Sequence, residues 1–195
     1  MNTLKAEKRS LDTKAKKLRR EGYVVGNVFG REIEGSIPVK MVKGDVEKLL
    51  KTDHKGSQIL LELDGTEYDV LIKEVDYNPL AGRVDEIDFQ ALVSGEMVHS
   101  VAEIVLENYE MVQEGVLQVG LSEIAYRALP ADLVDKVAVD VASMKVGDVI
   151  HVKDLPIASK KGVHLQTDPE SVVVTVTAIH NGALPEAEAG EGAAE

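Results

Sequence analysis

Beyond residue 20 apolar and polar side chains alternate with a period of two, the signature of strands that bury one face. Ile37, Val39 and Met41 share a face within Ser36 to Met41. The apolar run Ile59 to Leu63 ends in Asp64-Gly65, a dipeptide suited to a tight type I′ hairpin turn. The return strand runs from Thr66 to Val75, where Tyr68, Val70 and Ile72 alternate with Glu67, Asp69 and Lys73, before Asn78-Pro79 breaks the ladder. Another strand covers Arg83 to Val93. Two helical stretches interrupt this pattern. Lys14 to Glu21 is rich in Lys, Arg, Leu and Ala and stops at Gly22, with Asp12 or Thr13 as the expected N-cap. Asp45 to Lys51 places Val46, Leu49 and Leu50 on one side.

The second half repeats the strand grammar. Val98 to Leu106 alternates loosely, a strand opens at Gly115, and Glu123 to Leu129 runs up to Pro130. Val137 to Val141 alternates cleanly, Val149 to Val152 follows Gly147-Asp148, and Ser171 to Ile179 is a β-branched run. The expectation is a mainly β protein: an N-terminal antiparallel β-barrel with two short helices over 1–93, and a C-terminal all-β domain over 94–180. The joint falls at Ser94-Gly95, and a disordered acidic tail follows over 181–195. At 195 residues both domains can bury a core without staples.

Composition first argues against nucleic acid. The net charge is −12, aromatic residues make up 4%, and Trp is absent. The average conceals an asymmetry. Residues 1–20 carry eight cations against Glu7 and Asp12, a net +6, which leaves −18 on the other 175. A basic head on an acidic body is the pattern of a chain with a local anionic partner.

Catalytic signals are missing. Without cysteine there is no disulfide, thiolate metal site or cysteine nucleophile. His54, His99, His151, His164 and His180 are too dispersed for a metal-binding pair. Gly120-Leu121-Ser122 lacks the closing glycine of a nucleophile elbow, and no phosphate-loop motif occurs. Gly22, Gly26 and Gly30 flank a strand-like segment, where turns or close backbone approach account for them. No cofactor is expected, and no enzymatic activity. No apolar run is long enough to span a bilayer, and Leu4, Leu11 and Leu18 are too few for a membrane-surface helix.

Several short motifs occur in a recognisable order. Lys5 to Arg9, Lys14 to Gly22, Val28-Phe29-Gly30, Lys73 to Pro79 and Val84 to Gln90 come first. Leu129 to Leu133, Val139-Asp140-Val141, Gly147 to Leu155 and Thr167-Asp168-Pro169 follow. Together they resemble the bacterial ribosomal protein family L twenty-five in its long two-domain form, also called the general stress protein Ctc, over residues 3–178. The resemblance implies a barrel that binds 5S ribosomal RNA in the large ribosomal subunit. It also implies neighbouring ribosomal proteins as further partners, a cytoplasmic location on the ribosome, and a monomer when free.

Carried over by motif, Arg9 falls on a basic first-strand contact and Lys14 beside the basic loop that follows. Lys16, Lys17 and Arg19, with Arg20 in the same run, fall on the basic helix. Phe29 stands for the usual Tyr, and Asp88 matches the acid of a His-hydrophobic-Asp-Phe motif. The departures are pointed. Lys16 and Lys17 replace arginines and lose bidentate phosphate geometry. Asp76 replaces Gln, Tyr77 replaces Arg, Glu86 replaces His and Val25 replaces Pro. Acids beside phosphates oppose binding, so a second reading stands next to the first: the same fold with a weakened RNA site, acting as a stress-related protein-interaction module.

Overall fold

The structure is a computed structural model that describes residues 2–112 and 115–178. His180 and the acidic segment from 181 onward lie outside the described residues.

Six strands close a barrel: β1 (Thr3–Lys8), β2 (Tyr23–Phe29), β3 (Ser36–Val42), β4 (Gln58–Leu63), β5 (Thr66–Asn78) and β6 (Arg83–Ala91). Their order around the wall is β1-β3-β2-β6-β5-β4. Most pairings are antiparallel, as alternation and short turns require, but β1·β4 and β2·β6 run parallel and complete the ring. Periodicity says nothing of these two pairs, because strand direction depends on connections far apart in sequence. The β4–β5 hairpin turns at Asp64 and Gly65, both at positive φ, as a type I′ turn requires.

Inward side chains fill the barrel. Leu4, Val24, Val28, Val39, Met41, Ile59, Leu61, Val70, Ile72, Ile87 and Phe89 form one buried cluster. Helix α2 (Lys43–Leu49) adds Val46 and Leu49 to it. Helix α1 (Ala15–Arg20) is different: Leu18 is buried yet lies outside that cluster, as does Val25 on the helix's neighbour β2. The helix therefore packs on the outer wall. Its N-cap is Lys14, not Asp12 or Thr13. Asp12 instead accepts a hydrogen bond from the Ser10 hydroxyl, and the Thr13 carbonyl accepts one from Arg9.

The second set of strands is β7 (Val98–Glu107), β8 (Val116–Val119), β9 (Glu123–Ala128), β10 (Lys136–Asp140), β11 (Val149–His151), β12 (His164–Leu165) and β13 (Val172–Thr177). One sheet runs β10-β7-β9-β12 and the other β11-β13-β8. They enclose a separate core around Ala102, Ile124, Tyr126, Val137, Val139, Val173 and Val174. The Tyr126 hydroxyl donates to the Val134 carbonyl (3.0 Å) and accepts from its N–H (2.7 Å), so this large buried side chain leaves no polar atom unmatched. Short 3₁₀ turns, including Pro130–Asp132 and Pro156–Ser159, connect the strands. No helix among the described residues is long and apolar enough to cross a membrane.

Polar contacts join the two domains. The Ser100 hydroxyl donates to the Gly56 carbonyl (3.3 Å), and Lys73 Nζ donates to the His99 carbonyl (2.9 Å). His54 Nε2 lies 3.1 Å from Glu103. A Cβ on Gly56, whose φ is +93°, would collide with the Val101 carbonyl.

Gly26 is a second position in the barrel where a side chain would meet backbone. A Cβ there would strike the carbonyl of Ile87 across the β2·β6 pair, so close approach explains this glycine. Gly44, in α2, has open space around the same atom. Gly26→Ala is expected to lower stability by on the order of 1–3 kcal/mol through overpacking. Gly44→Ala should instead stabilise by about 0.5–1 kcal/mol through helix propensity. Urea unfolding of the two variants checks the contrast.

Candidate nucleic-acid interface

The basic run of the sequence is presented by α1. Burial of Leu18 against the wall fixes the rotation of a six-residue helix that would not be stable alone. With Leu18 facing inward, Lys14, Lys16, Lys17 and Arg20 are exposed and surround it. Among the described residues Lys14, Lys16 and Arg20 have no ion pair. Lys17 has one, to Glu21 at 3.8 Å, and both side chains are well exposed. Such a pair contributes little and exchanges readily for another anion.

Arg19 is placed differently. It turns back onto β6, where its Nε donates to the Asp85 carbonyl (2.9 Å) and lies 3.7 Å from the Asp85 carboxylate. Its Nη2 lies 3.7 Å from Glu86. Only 21% of the side chain is exposed. Arg19 thus clamps the helix to the sheet and neutralises two acids, one of them the unexpected Glu86. Asn27 also donates to Glu86 (3.4 Å), so that carboxylate is held by its neighbours rather than projecting alone.

Asp88 likewise works inside the fold. Its Oδ1 accepts from the Asn27 N–H (2.9 Å) and from the Asn27 side-chain amide (3.2 Å), bracing the parallel β2·β6 seam. Arg9 is half-buried and donates to the Thr13 carbonyl (3.0 Å), which ties the end of β1 to the loop that enters α1. Phe29 is half-buried at the end of β2. The structure therefore groups Lys14, Lys16, Lys17 and Arg20 on one outward surface. It assigns Arg9, Arg19 and Asp88 to bonds that hold that surface in place.

Several partners were not singled out in the sequence. Asp85 accepts from Arg83 Nε (2.7 Å) and from the Asn78 amide (3.1 Å), besides facing Arg19. These bonds, Arg83 first, then Asn78, with the Arg19 charge adding, hold its carboxyl below the usual carboxylate range. Lys40 lies beside Val25 on the next strand, but it is drawn to Glu7 at 2.8 Å and covers the Tyr23 ring at 4.9 Å. The acids are also laid out by register: Asp76 pairs directly with Glu86 across β5·β6, and Glu74 with Asp88. A line of acids thus runs along β5 and β6 beside the helix, answered in part by Arg19 and Arg83. Among the described residues no group of His and acidic side chains is arranged to hold a metal ion.

The sign for Asp85 follows from its depressed pKa. Its stabilising contribution is present above the ordinary carboxylate pKa and is lost as pH falls through the lowered one. Asp85→Asn is expected to melt below the native chain at neutral pH. That gap should shrink below about pH 4, the ordinary carboxylate range. Thermal melts across a pH series check this.

The comparisons with known proteins fall on the same division of the chain. The family model described as Ribosomal L25p family matches residues 4–89. The model described as Ribosomal protein TL5, C-terminal domain, matches residues 97–180. A protein of Carboxydothermus hydrogenoformans named Large ribosomal subunit protein bL25 is 32% identical over 164 residues, covering 83% of this chain and 81% of that protein. One of the same name from Geobacillus thermodenitrificans is 31% identical over 188 residues, covering 90% and 88%. Another, from Caldanaerobacter subterraneus, is 29% identical over 196 residues, covering 99% and 98%.

Proposed function

Because the chain belongs to the bL25 family of large ribosomal subunit proteins, we propose that it is a structural constituent of that subunit whose barrel docks on 5S ribosomal RNA through α1. The observation that supports this most is the cluster of outward cations on α1 and its N-cap, three of which have no ion pair among the described residues. Phosphates approaching that surface displace condensed counter-ions and gain affinity by doing so. The neighbouring acids work as a boundary. RNA is attracted to Lys14, Lys16, Lys17 and Arg20 and repelled from the Asp76–Glu86 pair, of which Arg19 answers only Glu86, and this orients the contact. Arg9, Arg19 and Asp88 support the surface from behind. This reading keeps the protein outside catalysis.

The second reading, a fold with a weakened RNA site that binds proteins instead, draws on the same acidic pair. The two separate in one titration. Filter binding of the full chain to 5S RNA over a salt series should give a log–log slope of roughly −3, from about four phosphate contacts. Lys16→Ala with Arg20→Ala should lower the steepness by roughly 1.5 and weaken binding at every salt concentration. If native binding is negligible at low salt and appears only on Asp76→Gln with Glu86→His, the second reading holds and the first fails.

A further inference from the structure

Among the described residues the barrel has no open edge, but the second domain has four: β8, β10, β11 and β12. At five residues β10 is the longest of them. Its parallel pairing with β7 directs the main-chain groups of its odd-numbered residues inward, as shown by the Glu103 N–H on the Asp135 carbonyl and the Val141 N–H on the Glu107 carbonyl. The N–H and C=O groups of Lys136, Ala138 and Asp140 therefore face away from the sheet. They open onto a groove of about 520 Å³ between β10 and the turn Pro156–Ser159. The floor is apolar, with Val134, Val137, Pro156 and Ile157. Lys136 and Lys160 stand at its rim. Lys160 Nζ donates to the Asp132 carbonyl (3.2 Å) and forms no ion pair among the described residues. Lys136 has one distant counter-ion, Glu103 at 4.0 Å.

We propose that the β10 edge is a docking site for an extended acidic peptide segment of a partner, which adds a strand to the sheet. The unpaired main-chain groups supply the ladder, alternate small apolar side chains enter the groove, and carboxylates lie at the Lys136–Lys160 end, away from Asp140. An edge lysine also serves to discourage strand pairing, so the experiment must separate a receptive edge from a guarded one.

The probe is a short capped peptide of alternating glutamate and valine, titrated into the isotope-labelled full chain. The expected result is saturable shifts confined to the amides of Val134, Lys136 to Asp140 and Ile157 to Lys160. Ala138→Pro removes one edge N–H at an exposed position without touching the core, and should weaken binding at least tenfold. Lys136→Glu with Lys160→Glu should reverse the preference towards a peptide of alternating lysine and valine, which gives a second readout if the proline variant fails to fold. Absence of shifts at about 1 mM peptide, shifts centred on β8, or an unreversed charge preference would overturn the proposal.

Discussion

Everything on the barrel's outer wall depends on its closure, and closure depends on two parallel seams. The antiparallel hairpins bring most strands together locally, but β1·β4 and β2·β6 must form between residues far apart in sequence. The second seam needs Gly26, because the Ile87 carbonyl occupies the space of a side chain. It is braced by Asp88 on Asn27. Once sealed, the wall has no unpaired edge to attract another chain. It then presents a surface on which a short helix can be seated against β2 by a single buried apolar residue, Leu18.

That seating converts a run of basic sequence into a directed surface. Leu18 sets which cations face outward, and Arg19 anchors the helix from the other side through Asp85 and Glu86. The same contact explains how an acid at position 86 is tolerated beside a basic helix. Its charge is answered by Arg19 and its oxygen by Asn27, so the substitution costs the fold little and withdraws one cation from the outward surface. The net effect is a smaller basic patch with a sharper negative border.

Much of the architecture was legible in the sequence because it follows from local rules. The alternation of Ile37, Val39 and Met41, the Asp64-Gly65 turn and the clean pattern of Val137 to Val141 all place strands where they occur. What local rules could not supply was anything decided across long separations. The parallel seams and the two-residue strand His164–Leu165 depend on tertiary partners. The candidate site shows the same limit. That residues 14–20 are basic is plain from the sequence, but Arg19 is separated from Asp85 by 66 positions. No spacing rule connects them, so the bond that ties Arg19 to β6 is invisible in the sequence.

The central claim is that the cations of α1, and not those of the second domain, face the RNA. Chemical acetylation of lysines in the free chain and in its complex with 5S RNA, read by mass spectrometry, tests it most directly. The account predicts that Lys14, Lys16 and Lys17 become protected while Lys153, Lys160 and Lys161 remain reactive. Protection of the second-domain lysines with α1 unchanged would contradict it.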